Sequence, residues 1–287
     1  MISKGIILAG GMGTRVGPVT KSVSKQLLPI ADKPIIFYAI SILMLMNIKN
    51  ILIIIKPGDE ASFRKLLGNG SDFGIKITYK IQKKPGGLPE AFILGKKFIN
   101  KKNVALILGD NFFYGQSLVE FFNFHSQSFQ SGAQIFTYLV KKPEAYGIVD
   151  RRHKKIRIFE KPKKTFSNEA ITGLYFFDEE ASRFSLKLKP SKRGELEIVD
   201  LIKFYQNKNK LTISVLGRGS AWLDTGTSED ILKASNYVSI IEDRQNLKIA
   251  CLEEIAFKKK WITKKQLNSR IGYYGKSTYS DYLKSLT

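Results

Sequence analysis

Short apolar runs alternate with longer amphipathic ones along the first 140 or so residues. KGIILAG, IKNILIIIKPG, KITYKIQ, VALILGDN and AQIFTYLVK all have strand length. The second is almost unbrokenly apolar, as expected of a parallel strand covered on both faces. Between the runs the pattern predicts helices over 34–47, 59–68, 89–99 and 117–130. The third of these opens LPEAF, with Pro89 and Glu90 where a first helical turn favours them. PIIFYAISILMLM, Pro34 to Met46, reads as a buried core helix; its 13 residues fall short of the ~20 that a membrane span needs. This rhythm implies an α/β fold with a mostly parallel, Rossmann-like sheet, right-handed crossovers and flanking helices.

After residue 140 the rhythm changes. YGIVDRRHKKIRIFEKP predicts a hairpin, and ITGLYFFD and KLTISVLGRGSAWLDTG add strands. From 228 the pattern turns helical, with Ser228 as the expected cap and Ile231, Ala234, Val238 and Ile241 on one face. Phe121, Phe122 and Phe124 crowd one predicted helix and are expected in the core. The organisation is an α/β unit over 1–227 carrying an inserted β region, then a helical region over 228–287 whose apolar helix has no obvious internal partner.

Composition changes this picture little. The 287 residues suffice for a large core, and 43% hydrophobic content argues against disorder. The net charge of +22 points towards nucleic acid or an acidic surface. However, 37 of the 47 basic residues are lysines spread along the chain in short clusters. Dedicated nucleic-acid surfaces gather arginine and aromatic residues on one face. A solvated lysine surface that attracts anionic substrates is the better reading, with no nucleic-acid or membrane partner. The single cysteine, Cys251, excludes an intramolecular disulfide framework and a Cys-rich zinc site. It fits a buried structural role in a reducing cytoplasm, and IILA is too short for the apolar core of a secretory signal. His125 and His153 lack metal-ligand spacing and read as structural or exposed.

The chemistry concentrates in LAGGMGTR, at the end of the first predicted strand. Gly10, Gly11 and Gly13 let backbone N–H groups approach a phosphate, Thr14 adds a hydroxyl donor and Arg15 a planar fork. A Walker loop is absent, and the dinucleotide fingerprint fails because Val16 stands where its third glycine belongs. Three glycines alone equally describe a tight turn; Arg15 and the downstream Lys25 favour a polyphosphate. Asp110 and Asp224 each follow a predicted strand. Taken singly they are turn or cap residues.

The opening GIILAGGMGTRVGPVTKSVSKQLLPIADKPII resembles the sugar-nucleotide pyrophosphorylases, whose signature is Gly-Gly-x-Gly-Thr-Arg, a spacer, then Lys and Pro. LILGDNFFYG, YGIVD, EKP, TGLYFFD, PSKRGELEIVD, GRGSAWLDTGT and CLEEIAF follow in order. This set is similar to the glucose-1-phosphate thymidylyltransferase branch over nearly the whole chain. The resemblance implies a nucleotidyltransferase fold and the union of glucose 1-phosphate with dTTP, releasing pyrophosphate. It also implies Mg²⁺ on Asp110 and Asp224, phosphate binding by Arg15 and Lys25, and thymine contacts from Gln82 and Gly87 with Leu8 beneath the base or sugar. Gly147, Glu160, Lys161, Tyr175 and Arg193 match the hexose-phosphate contacts. The chain departs from the commonest pattern at Gly17, Gly86 and Pro89. In the family the helical tail supports homotetramers and a second site where a dTDP-sugar inhibits. The near alternative is the same chemistry with UTP or another hexose 1-phosphate; the distant one is nucleic-acid binding.

Overall fold

The computed structural model describes residues 1–287 except Lys154 and Phe166. Strand β1 (Lys4–Ala9) runs into the glycine turn, and the short strands β2 (Pro29–Ile30) and β3 (Lys33–Pro34) pair before helix α1 (Ile35–Leu45). Ten of the eleven residues of α1 are buried, as its uniformly apolar sequence requires. Strand β4 (Asn50–Ile55), helix α2 (Glu60–Leu67) and strand β5 (Lys76–Ile81) follow as the pattern predicts. The helix expected over 89–99 is broken into α3 (Glu90–Leu94) and α4 (Lys96–Ile99). Gly95 lies between them, pressed so closely on β1 that a Cβ there would stand 3.0 Å from Ile6 Cδ1.

Strands β6 (Val104–Leu108) and β7 (Phe112–Gly115), helix α5 (Leu118–Ser128) and strand β8 (Ala133–Leu139) come next. Strands β9 (Gly147–Asp150) and β10 (Arg157–Glu160) form the expected antiparallel hairpin; Lys154 of the expected charged turn lies outside the described residues. Strand β11 (Glu169–Phe177) is buried along all nine residues. Four strands, in the order β5, β4, β1 and β6, are parallel. Beyond β6 the sheet becomes mixed: β11 pairs antiparallel with β6 through Leu174–Phe177, with β8 along its other edge, and with β9 at Ala170. So β8 does not continue the parallel set as its place in the chain suggested. The long apolar β11 takes the position beside β6 instead.

Helices α6 (Ala181–Ser185) and α7 (Ile198–Asn207) cover one face of the sheet with α3, burying Phe92, Phe177, Phe184 and Tyr205 together. Strand β12 (Leu211–Val215) pairs parallel with β8, and β13 (Ser220–Leu223) pairs antiparallel with β7. The chain ends in α8 (Ser228–Gln245), α9 (Leu252–Lys258), α10 (Lys264–Tyr274) and α11 (Thr278–Ser285).

Three expectations for the helical region and α5 need correction. The cap of α8 is Thr227, not Ser228: its hydroxyl accepts from Asp230 N while the Asp230 carboxylate accepts from Thr227 N. Ser228 instead donates to Val16 O at 2.7 Å, tying the helix to the first turn. The apolar face of α8 does have an internal partner, since Ala234 and Val238 are buried against Val16, Ile30, Ile35, Tyr38 and Phe112. Helices α9 to α11 likewise share the main core with α1 through Cys251, Leu252, Ala256, Leu267 and Leu283. On α5, Phe122 is buried and Phe121 half-buried, but Phe124 is 67% exposed because it lies opposite the buried face of Leu118, Phe122 and Ser126. Among the described residues no helix is long and apolar enough to cross a membrane.

Candidate active site

The two aspartates meet because of one strand pair. Asp110 and Asn111 immediately precede β7, and Asp224 and Thr225 immediately follow β13. The antiparallel register sets Leu223 opposite Phe112, so the residues just beyond this end of the pair lie side by side. The Thr225 hydroxyl closes the junction by donating to Asp110 O at 2.7 Å. Thr225 is fully buried with φ of 36°, a left-handed conformation that costs a non-glycine residue roughly 1–3 kcal/mol. Such strain persists only where surrounding contacts hold it, and it clusters at functional sites.

Charge at this junction is only partly balanced. Lys25, 5% exposed, donates to Asp110 Oδ2 at 2.6 Å. Burial, reinforced by the Asp110 charge, raises the proton affinity of Asp224 above the ordinary carboxylate range. Tyr146 lies beside Asp224, and burial next to that carboxylate pushes its phenol well up. The Arg15 guanidinium is exposed beside Gly226 and Asp224, within 3.4 Å of where a Gly226 Cβ would stand. Two carboxylates whose charges oppose each other, open to a pocket, are a donor set that suits a hard divalent cation. No cluster of three or more His, Cys, Asp or Glu forms among the described residues. Such a cation would therefore draw its remaining ligands from water and substrate oxygens, as Mg²⁺ commonly does.

The glycine turn sits beside this pair. A Cβ at Gly10 would fall 2.5 Å from Gln82 Oε1, so Gln82 passes close over the turn and a larger residue there would push its amide aside. At Gly11 a Cβ would meet no protein atom within 4 Å, so the fold itself does not demand glycine at that position. Gly13 packs on Thr20 and Lys25, and the Thr20 hydroxyl donates to Gly13 O and Gly17 O, both at 2.9 Å. Thr14 is exposed and Leu8 half-buried. Gln82 is buried and donates through Nε2 to Glu90 Oε2 at 2.6 Å.

On the far side of the aspartates lies a cavity of about 160 Å³. Arg15, Asp110 and Asp224 line it, and so do Gly147, Glu160, Lys161, Tyr175 and Arg193. The hairpin supplies Gly147 opposite Glu160. Burial raises the Glu160 proton affinity, and burial with the Glu160 charge nearby pushes the Tyr175 phenol well up. Arg193 reaches Glu197 at 2.6 Å and Glu160 at 3.1 Å, so it ties the 191–197 loop to β10. Gly87, with φ of 88°, forms an isolated bridge with Leu196, whose O would stand 2.0 Å from any Cβ at Gly87. The loop after β5 is thereby joined to the loop that lines the far cavity.

Five neighbours escaped the sequence reading: Asn111, Tyr146, Glu197, Trp222 and Thr225. Asn111 Oδ1 accepts from Gly173 N at 3.0 Å and from Trp222 Nε1 at 2.6 Å, while its Nδ2 donates to Asp110 Oδ1 at 3.2 Å. The Trp222 ring leans on Tyr146 with centroids 5.0 Å apart, and Tyr146 stands next to Asp224. A continuous set of contacts thus links the two aspartates. Its one signal in the sequence is the polar Asn directly after the strand-end Asp in LILGDN.

A nucleotidyl transferase family model matches residues 4–239. The chain belongs to the nucleotidyl transferase family. Among nucleotidyl transferases, the glucose-1-phosphate thymidylyltransferase of Neisseria gonorrhoeae is 51% identical over 98% of both chains. That of Xanthomonas campestris is 47% identical over 99% of this chain and 96% of its own. A solved candidate glucose-1-phosphate thymidylyltransferase from Bacillus anthracis, in complex with sucrose, superposes with a TM-score of 0.74. It is 36% identical over 82% of this chain and 94% of its own. A UDP-glucose pyrophosphorylase solved with UDP-glucose, 24% identical, shares the fold at a TM-score of 0.72, over 84% of this chain and 100% of its own.

Proposed function

We propose that this nucleotidyl transferase condenses dTTP with glucose 1-phosphate to give dTDP-glucose and pyrophosphate. The observation that carries the reading is the Asp110–Asp224 pair, set between the glycine turn and a cavity lined by Glu160, Lys161 and Arg193. The thymidylyltransferases related over nearly the whole chain give the substrates. A sugar-phosphate oxygen attacks the α-phosphorus in line, the bond to the β,γ-diphosphate breaks, and pyrophosphate leaves from the opposite side. No covalent nucleophile is needed, so the protein contributes positioning and electrostatics. Asp110 and Asp224 would hold Mg²⁺, which when bound offsets the charge of the phosphate oxygens. Lys25 lies beside Asp110 and serves the α-phosphate, and Arg15 grips the departing pyrophosphate. The turn of Gly10, Gly11, Gly13 and Thr14 offers hydrogen-bond donors to the triphosphate. Gln82, with Gly87 and Leu8, meets the thymine end. Glu160, Gly147 and Tyr175 take the hexose, with Lys161 and Arg193 towards its phosphate.

The same proposal places the enzyme in the cytoplasm, as its one, buried cysteine suits, and assigns 1–227 to catalysis and 228–287 to assembly and regulation. A homotetramer is the proposed assembly, and a monomer in light scattering would remove that part. A second cavity of about 310 Å³, lined by Leu45, Tyr114, Cys251, Glu254 and Ile255 among others, is the proposed seat of dTDP-sugar inhibition. Kinetics unchanged by dTDP-rhamnose would remove it. The substrate assignment is tested by pyrophosphate release with dTTP or UTP against a panel of hexose 1-phosphates. Preference for dTTP with glucose 1-phosphate is expected, and equal use of UTP counts against the base assignment.

A further inference from the structure

Gln82 holds its amide in a fixed polarity. A carboxylate accepts hydrogen bonds and does not donate, so only Nε2 of Gln82 can face Glu90 Oε2 at 2.6 Å. Turning the amide over would set Oε1 against Oε2, two acceptors in contact. Oε1 therefore stays beside Gly10 and takes no hydrogen bond from the described residues. The site is left with an acceptor and one remaining N–H in a set order. Room for this lock comes from Gly86: a Cβ there would stand 2.1 Å from Glu90 Oε2 and displace the carboxylate. Glu90 itself is half-buried at the start of α3, on a rigid element.

We infer that Glu90 is a positioning residue that fixes the polarity of the Gln82 amide, so that the nucleotide site takes imide bases and rejects cytosine. The inference rests on the reading of Gln82 as the base contact. Thymine and uracil present an N–H donor flanked by carbonyl acceptors; cytosine presents the reverse order, a ring acceptor beside an amino donor. An amide free to turn serves either, and one pinned by Glu90 serves only the imide.

The test is pyrophosphate release with dTTP, dUTP and dCTP, at saturating glucose 1-phosphate, in wild type, Glu90→Gln and Gly86→Ala. Glu90→Gln keeps size and reach but supplies a partner that both donates and accepts. Gly86→Ala leaves Glu90 in the chain and moves its carboxylate. Both should narrow the kcat/KM preference for dTTP over dCTP by roughly ten- to one-hundred-fold, the scale of one bidentate base contact. The dTTP-to-dUTP ratio and the KM for glucose 1-phosphate should not move. An unchanged dTTP-to-dCTP ratio, or an equal loss on all three nucleotides, overturns the inference while leaving the function in place. A wild-type enzyme that turns over neither dTTP nor dUTP overturns the functional reading and the inference together.

Discussion

Asn111 offers the sharpest separation of stability from chemistry at this site. It is 2% exposed, and its single oxygen accepts from Gly173 N and Trp222 Nε1, both inside the protein. Asn111→Ala leaves both donors without that partner. An unsatisfied buried donor costs about 1–3 kcal/mol, so the pair should lower unfolding free energy by roughly 2–6 kcal/mol. That is a large share of the ~5–15 kcal/mol that holds a typical domain. Asn111→Asp separates the two effects. It keeps an acceptor for both donors and so most of the stability. It also sets a second carboxylate where Nδ2 now meets Asp110 at 3.2 Å, and carboxylates that close share a proton rather than both ionise. Urea unfolding and Mg²⁺-dependent pyrophosphate release, measured on both variants, read the two consequences. The alanine variant should lose stability most. The aspartate variant should stay folded, lose kcat and need more Mg²⁺. An alanine variant within ~0.5 kcal/mol of wild type, or an aspartate variant with normal kcat, would refute the reasoning.

Two further outcomes follow from the same geometry. Because the native proton affinity of Asp224 is raised, its contribution to stability is fully present below the ordinary carboxylate pKa and is lost as pH rises through its native value. Without Mg²⁺, Asp224→Asn should thus be more stable than wild type near pH 7 and no different in acid, as thermal melts at several pH values would read. Gly87→Ala forces a Cβ against Leu196 O in a left-handed backbone, at roughly 1–3 kcal/mol of strain. It should raise the KM for both substrates together, and a change confined to one of them would show that the bridge does not couple the two loops.

The sequence was most legible where one physical rule acted alone. The unbroken apolar run of β4 and the uniformly apolar α1 could be placed only in the interior. The glycine turn announced itself because Gly10, Arg15 and Lys25 have few other reasons to stand together. What stayed hidden depends on contacts remote in the chain. No local signal places β11 between β6 and β8, since strand order is decided by packing across the sheet. Nor does one pair Asp110 with Asp224: their meeting needs the β7–β13 register, and β7 itself is only four residues long. Ser228 is the better cap by propensity, yet Thr227 is the cap, because Asp230 three residues on completes a capping box with it while Ser228 donates to Val16 O. The resemblance points to Gln82, but nothing local in the chain shows that Glu90 folds back onto its amide.

The central claim is that Asp110 and Asp224, with Lys25 and Arg15 beside them, hold two anionic reactants together around a divalent cation. The most direct test is the Mg²⁺ dependence of pyrophosphate release from dTTP and glucose 1-phosphate, compared between wild type and a folded Asp110→Asn variant. The account predicts saturable Mg²⁺ activation in wild type and a kcat lowered by roughly 100-fold or more in the variant, the scale on which one preorganised charge contributes. Near-normal kcat for Asp110→Asn at saturating Mg²⁺ would contradict it.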